Sequence, residues 1–273
     1  MKAKIKEKLD KLETILTGLD SVLVAFSGGV DSSLLLCVAA RVLPGRATAV
    51  TAKSVLTPPG EMETAAAIAS DLGVERLVLD FEPLKLEHVK DNSKNRCYYC
   101  KAALARLFKS KARILGLTHV LEGSHAGDSL AHRPGARAVA EAGLKSPLME
   151  AGLNKTEVRT LARTLGLPNW NRPALACLAT RFPYDKPLTI KALHQVFEAE
   201  SYLAEEGFDR VRARHHGSIL RLEFPPETMP RLNNERLRRD LAAKLAGLGF
   251  DFVTVDLAGY RSGVFDSTPR RGG

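Results

Sequence analysis

An unbroken apolar run at residues 22–26 passes directly into Ser27-Gly28-Gly29-Val30-Asp31-Ser32-Ser33, and that segment opens the apolar helical stretch at residues 31–42. Few backbones accept this order. An apolar run without alternation reads as a strand buried on both faces, as in a parallel sheet. Paired glycines let the chain turn sharply and approach a ligand closely. The helix that follows then aims its free N–H groups and the positive end of its dipole over the strand end, an arrangement that favours phosphate oxygens. The spacing Gly-x-x-x-x-Gly-Lys-Ser/Thr is absent, so this is a phosphate loop of a different kind from the P-loop.

The rest of the chain repeats the alternation. A helix at 2–18 precedes the first strand. A second strand is expected at 47–52, a helix at 60–72, a third strand at 76–80, a basic helix at 98–115 and a fourth strand at 119–122. Strands alternating with helices at this interval predict βαβ units, hence an α/β, doubly wound parallel sheet whose ligands sit at the carboxyl ends of its strands. Residues 123–147 lack periodicity and are rich in Gly, His and Pro, which reads as a functional loop. A helix at 156–165 and a proline-rich loop at 168–187 close this domain, taken as residues 1–184. Helix 188–206, strands 211–215 and 219–224, helix 230–248 and strand 252–257 then predict a smaller C-terminal α+β domain, residues 185–273. The terminal Arg-Arg-Gly-Gly reads as a disordered tail.

Charge separates the two halves. Nearly all of the formal +9 lies in residues 1–184, where Lys and Arg outnumber Asp and Glu 26 to 18, whereas residues 185–273 are close to neutral at 14 to 13. Residues 85–113 hold nine basic against two acidic side chains, which predicts an anionic partner near that segment or a solvated basic helix face. The near-neutral second half argues against a nucleic-acid platform. No stretch reaches the length of a membrane helix, and the charged start reads as an amphipathic helix and not a secretory leader. These features predict a cytoplasmic protein with no membrane partner.

Within the phosphate loop, Ser27, Ser32 and Ser33 add hydroxyl donors to the amides of Gly28 and Gly29, and Asp31 is suited to hold Mg²⁺ on a pyrophosphate. Lys53 and Gly123 fall at the ends of the second and fourth strands, placed to frame a nucleotide, although Lys53 also fits an exposed loop lysine. This segment resembles the signature of the ATP pyrophosphatase (PP-loop) family, with its adenine nucleotide alpha hydrolase-like fold. The resemblance implies that ATP and Mg²⁺ bind here and that AMP is transferred to a substrate oxygen with release of pyrophosphate.

Four cysteines in 273 residues are too few for a disulfide scaffold. Cys37 lies in the apolar helix Leu-Leu-Leu-Cys-Val-Ala-Ala and reads as a small core residue. Cys97 and Cys100 stand one helical turn apart, a spacing that suits a metal, an iron-sulfur cluster or a redox pair. Cys177 is flanked by Pro173, Thr180, Arg181 and Pro183, and a nearby Arg favours the thiolate. Three thiolates on a four-iron cluster leave one iron open to an exogenous sulfide.

The resemblance narrows to the LarE family through several further segments: Glu122-Gly123-Ser124, Asp128, Arg133-Pro134-Gly135, Ser146-Pro147-Leu148, Lys155-Thr156-Glu157-Val158-Arg159, the Cys177 loop, and Asp256-Leu257-Ala258-Gly259-Tyr260-Arg261. It covers nearly the whole chain. Members are sulfur-inserting enzymes that act on pyridinium biscarboxylic acid mononucleotide in building the nickel-pincer cofactor, and they tend to form rings of subunits. The resemblance therefore implies a small anionic mononucleotide substrate and a homo-oligomer. It implies nucleotide or substrate contacts at Gly123, Asp128 and Arg133, and a phosphate clamp at Arg212 and Arg214, which alternate to one face of their strand. It also implies that Cys97, Cys100 and Cys177 hold a 4Fe-4S cluster, or that Cys177 itself gives up its sulfur. The chain departs from the family at His125 and Gly127, where an Asn and a first Asp are usual, and at residues 263–266. Rival readings are a tRNA-thiolating enzyme of the same loop family, an amide-forming synthetase without its glutaminase segment, and a non-catalytic binder of an adenine nucleotide and a metal.

Overall fold

A computed structural model describes residues 3–128, 134–173 and 175–261. Arg133 and the terminal Arg-Arg-Gly-Gly lie outside the described residues. The chain divides into two compact units. One comprises Met1–Ser54, Gly60–Leu86 and Asn95–Leu175, and the other Val55–Pro59, Glu87–Lys94 and Ala176–Gly273.

In chain order the elements are α1 (Ala3–Thr17), β1 (Val22–Ala25), α2 (Val30–Val42), β2 (Ala47–Lys53), α3 (Glu61–Asp71), β3 (Arg76–Asp80), α4 (Glu87–Lys90), α5 (Arg96–Ile114), β4 (His119–Leu121), α6 (Pro134–Glu141), α7 (Pro147–Glu150), α8 (Lys155–Thr164), α9 (Ile190–Glu205), β5 (Arg212–His216), β6 (Ile219–Glu223), α10 (Glu235–Ala246) and β7 (Phe252–Val255). Short 3₁₀ segments at Pro83–Lys85, Leu178–Arg181 and Pro226–Asn233 join some of them.

The first unit is built on a four-stranded sheet in the order β3-β2-β1-β4, every pair parallel. The α/β architecture expected from the alternation is the one the chain adopts. Side chains of a strand alternate between faces, and the core records this residue by residue. Val22, Val24, Ala49 and Leu121 join α1, α2, α3 and α8 in one cluster, while Leu23, Val50 and Val120 join Phe108 and Ala112 of α5 in another. Both faces of β1 are therefore buried, which accounts for its unbroken apolar run. Succession from β1 to β2 to β3 moves outward on one side, and the chain then returns past β1 to lay down β4. The order reverses between β1 and β4, so their carboxyl ends flank the crevice where such sheets bind ligands.

Two stretches depart from the expected reading. Residues 134–141 form α6 instead of loop. Pro134 supplies the fixed φ of a first helical turn, and the helix packs where Gly135 has no side chain: a Cβ there would lie 3.2 Å from Cγ of Lys101 and 3.9 Å from Cβ of Cys97. The single helix expected at 230–248 is split. Asn234 accepts a hydrogen bond from the Leu237 amide at 3.1 Å and so caps a fresh helix at Glu235, leaving the preceding turn as 3₁₀.

In the second unit, β5 pairs antiparallel with β6, and β6 pairs parallel with β7. Among the described residues no helix is long and apolar enough to cross a membrane.

Candidate active site

The turn after β1 is shaped by what glycine lacks. Gly28 has φ +78°, and a Cβ there would sit 3.0 Å from the backbone nitrogen of Ala65 on α3. Any side chain would meet both a left-handed backbone and a helix backbone. Gly29 then caps α2 without a side-chain hydrogen bond, so the first amides of the helix are left for another acceptor. Facing it, Gly123 follows β4, and a Cβ there would lie 3.0 Å from the Ser32 nitrogen. The loops at the two strand ends thus meet at the topological switch point, with only hydrogen atoms between them.

The loop is braced from several sides. Ser27 Oγ accepts the Gly29 amide at 3.3 Å and lies 3.3 Å from Ser32 Oγ, which donates to the Gly29 carbonyl at 3.1 Å. Ser33 is fully buried, and its hydroxyl accepts from Asn169 Nδ2 at 2.9 Å; the same amide donates to the Gly28 carbonyl at 2.7 Å. Thr51, buried on β2, donates to the Phe26 carbonyl at 2.8 Å. Lys53, at the end of β2, is exposed.

Asp31, in the first turn of α2, is paired through Oδ2 with Lys155 Nζ at 2.5 Å, while its Oδ1 is buried with no hydrogen-bond partner. Lys155 is the first residue of α8, a position set by a capping box in which Asn154 accepts from the Glu157 amide and Glu157 accepts from the Asn154 amide. On α3, Glu61 and Thr64 hold Arg172, whose guanidinium donates to Thr64 Oγ1 and lies 3.7 Å from Glu61. Burial lifts the Glu61 carboxyl above its usual range, with Arg172 pulling the other way.

Beyond β4, Glu122 accepts hydrogen bonds from Ser146 and from Ser124, the latter at 2.7 Å. Asp128 accepts the His125 amide at 3.0 Å, and His125 Nδ1 accepts the Gly127 amide at 3.1 Å. The departures from the family pattern therefore form a closed local turn that holds Asp128 in place.

Cys97 is exposed and Cys100 half-buried on the first turns of α5. The Tyr98 hydroxyl donates to Glu141 of α6 at 2.5 Å, and the Arg137 guanidinium covers the Tyr98 ring at 4.6 Å. That hydrogen bond raises the Tyr98 pKa, so the phenol stays protonated. Cys37 is buried in the core, and its thiol is pushed up by desolvation.

In the second unit Cys177 is exposed at the start of the 3₁₀ turn Leu178–Arg181. Arg181 ends this turn. It is fully buried and forms a bidentate pair with Glu200, both contacts at 2.8 Å, and its remaining nitrogen donates to the Ala176 carbonyl at 2.8 Å. Arg181 thereby holds the backbone of the cysteine loop. On β5, Arg214 is bound to Glu223 at 2.8 Å and to the Thr180 carbonyl at 2.6 Å, while Arg212 donates to the Val211 carbonyl and lies over the Tyr260 ring. Both arginines are buried, so their strand face is packed and not solvated. Burial, followed by the positive charge of Arg181, lowers the Arg212 pKa.

The structure thus gathers Ser27, Gly28, Gly29, Asp31, Ser32, Ser33 and Gly123 at one crevice. Cys97 and Cys100 stand in the first unit and Cys177 in the second; among the described residues no group of three or more His, Cys, Asp or Glu side chains is gathered to hold a metal ion. Sequence reasoning missed the part played by Asn169 and Arg172, and it took Lys155 only as one letter of a motif. Their signal was faint: polar residues in a proline-rich loop and at a helix start.

The asparagine synthase family model matches residues 14–112, from the last turn of α1 through most of α5. Over nearly its whole length the chain is similar to the pyridinium-3,5-bisthiocarboxylic acid mononucleotide synthase of Lactiplantibacillus plantarum, at 40% identity over 97% of this chain and 96% of that protein. An uncharacterized protein of Synechocystis sp. is 38% identical over 95% of this chain and 97% of its own length. An uncharacterized protein of Methanocaldococcus jannaschii is 25% identical over 88% and 91%.

Proposed function

Because this chain belongs to the LarE family of pyridinium-bisthiocarboxylic acid mononucleotide synthases, we propose that it uses ATP to replace an oxygen of a substrate carboxylate with sulfur, the substrate being the pyridinium biscarboxylic acid mononucleotide. The observation that carries the reading is the turn at the switch point, where Gly28 and Gly123 let the backbones pack closely and Gly29 leaves the first amides of α2 without a side-chain cap.

The chemistry has two steps. A carboxylate oxygen bonds to the α-phosphorus of ATP as the bond to pyrophosphate breaks, giving an acyl-adenylate, AMP and pyrophosphate being the two leaving groups of the overall reaction. A sulfur nucleophile then bonds to the acyl carbon, and AMP departs with the electrons of the C–O bond. Activation is needed because a free carboxylate has no good leaving group, and splitting the displacement lowers each barrier. The amides of Gly28 and Gly29 with Ser27 and Ser32 bind phosphate, Ser33 braces the loop, and Asp31 holds Mg²⁺ through its unpartnered Oδ1. Lys53, Gly123 and Asp128 frame the nucleotide, and Arg133, outside the described residues, is the further contact that the family resemblance implies. Arg212, with Arg214 beside it, meets the phosphate of the anionic substrate.

For the sulfur we propose Cys97, Cys100 and Cys177 as three ligands of a 4Fe-4S cluster. The one-turn spacing of Cys97 and Cys100 at accessible positions fits two ligands of one centre. The bound cluster would supply a sulfide on the iron that no protein thiolate holds. Sacrifice of the exposed Cys177 sulfur is the second reading, favoured by its accessibility.

The test is incubation of anaerobic protein with ATP, Mg²⁺ and the pyridinium mononucleotide. Pyrophosphate release that requires the mononucleotide, with a product about 16 mass units heavier per oxygen replaced by sulfur, is expected. Release that ignores the mononucleotide, or depends on tRNA, would overturn the reading.

A further inference from the structure

Asp31 and Lys155 link α2 to α8 through an ion pair, and the pair is unusual in what it leaves undone. Lys155 Nζ approaches Oδ2 at 2.5 Å, yet Oδ1 of the same carboxylate is buried and accepts nothing. Carboxylate oxygens out of water ordinarily find donors. An acceptor shielded from solvent and without a donor of its own, beside a carboxylate oxygen already held by a cation, suits a second positive ligand. Among the described residues no group of three or more His, Cys, Asp or Glu side chains is gathered to hold a cation there. Mg²⁺ dehydrates reluctantly and is held by one or two carboxylates only when substrate phosphates complete its shell.

We propose that Lys155 is a placeholder cation: it occupies the Asp31 carboxylate in the nucleotide-free protein, so that a divalent cation takes this carboxylate only when it arrives with a polyphosphate, to which the ammonium then transfers. The inference rests on the ATP reading above and adds to it an ordering of ligands. Three features make the exchange feasible. The backbone of Lys155 is fixed by the Asn154–Glu157 capping box, so the side chain moves from a defined origin. Its side chain is 33% exposed and that of Asp31 27%, so rotation breaks no packed core. A lysine is a point charge on a flexible stem with rotatable donors, unlike the rigid fork of arginine. Charge balance also favours it: the incoming cation releases the ammonium from Asp31 at the moment that phosphate oxygens offer it a new partner.

The measurement is Mn²⁺ binding followed by electron paramagnetic resonance, with Lys155→Met, Lys155→Gln and Asp31→Asn beside wild type. Without nucleotide, both Lys155 variants are expected to bind Mn²⁺ roughly tenfold more tightly than wild type, because the competing ammonium is gone, while Asp31→Asn binds none at this position. With ATP and the pyridinium mononucleotide the same Lys155 variants should release pyrophosphate at least about tenfold more slowly than wild type. Unchanged Mn²⁺ affinity in a folded Lys155 variant, checked by circular dichroism, would overturn the proposal, and so would an undiminished rate. Two different Lys155 replacements guard against one failing to fold. A wild type that binds Mn²⁺ as described but releases no pyrophosphate would instead defeat the functional reading and leave the competition at Asp31 intact.

Discussion

One side-chain amide spans the phosphate loop: Asn169 Nδ2 donates to the Gly28 carbonyl at 2.7 Å and to Ser33 Oγ at 2.9 Å, from a position that is itself buried. Gly28 at the bend and Ser33 in the buried first turns of α2 are thus held by a loop more than a hundred positions away in sequence. The brace explains how a turn rich in glycine keeps one conformation before any ligand arrives.

Asn169→Ala should therefore loosen the loop without changing its chemistry. Two buried acceptors lose their donor, which costs about 1–3 kcal/mol. The expected result is a lower midpoint in urea unfolding and a raised KM for ATP, with kcat much less affected. A variant with wild-type KM would show that the brace is dispensable.

Gly28→Ala is predicted to be worse than its size suggests. The left-handed backbone alone costs an L-residue about 1–2 kcal/mol, and the new Cβ would press on the Ala65 backbone at 3.0 Å. Loss of ATP binding with partial loss of stability is expected. Gly123→Ala, which adds a Cβ 3.0 Å from the Ser32 nitrogen without a φ penalty, should hurt ATP binding more than stability. Calorimetric titration and thermal unfolding of the pair separate the two effects.

The buried Arg181–Glu200 pair should be intolerant of half-removal. Arg181→Leu leaves the Glu200 carboxylate without its bidentate partner, and breaking such a pair costs about 3–5 kcal/mol. It also frees the Ala176 carbonyl, so a thiol reagent should reach Cys177 faster than in wild type while Cys97 reacts as before. Unaltered Cys177 kinetics would mean that the loop is held by other contacts.

Acid should weaken the second unit. His215 is stacked on Phe182 and set edge-on to Phe250, and burial lowers its pKa; His216 is lowered by burial and then by Arg221. Both therefore bind protons less readily when folded than when unfolded. The unfolded chain holds the extra protons once pH drops below the ordinary histidine value of 6.5, so the stability present above that value is lost as pH falls toward the lowered folded pKa. Thermal midpoints measured from pH 8 to pH 5 should fall through this window, and His215→Phe should flatten the curve.

Anaerobic reconstitution with iron and sulfide should load about four iron per chain, with Cys97→Ala and Cys177→Ala each abolishing the visible absorption. Iron-free protein that completes one sulfur transfer and emerges lighter by one sulfur would favour sacrifice of Cys177. Cys37→Ala, a change confined to the core, should leave iron content untouched.

The linear chain was sufficient to determine the parallel sheet, the loop after β1 and the family, because these depend on short-range patterns. An unbroken apolar run means a strand covered on both faces, and Ser27 to Ser33 carry their chemistry in consecutive positions. Helix α6 was hard to read because it is short and set among Gly, His and Pro, which masks its amphipathic pattern, and its packing on the Cys97 turn is set only by the fold. Only the tertiary structure decided that Asn169 grips Gly28, that Lys155 occupies Asp31, and that Arg181 pairs with Glu200. Those partners are distant in sequence or equally compatible with several neighbours. A polar side chain takes whichever partner the folded backbone brings within hydrogen-bond reach, and that choice is made only when the elements are packed.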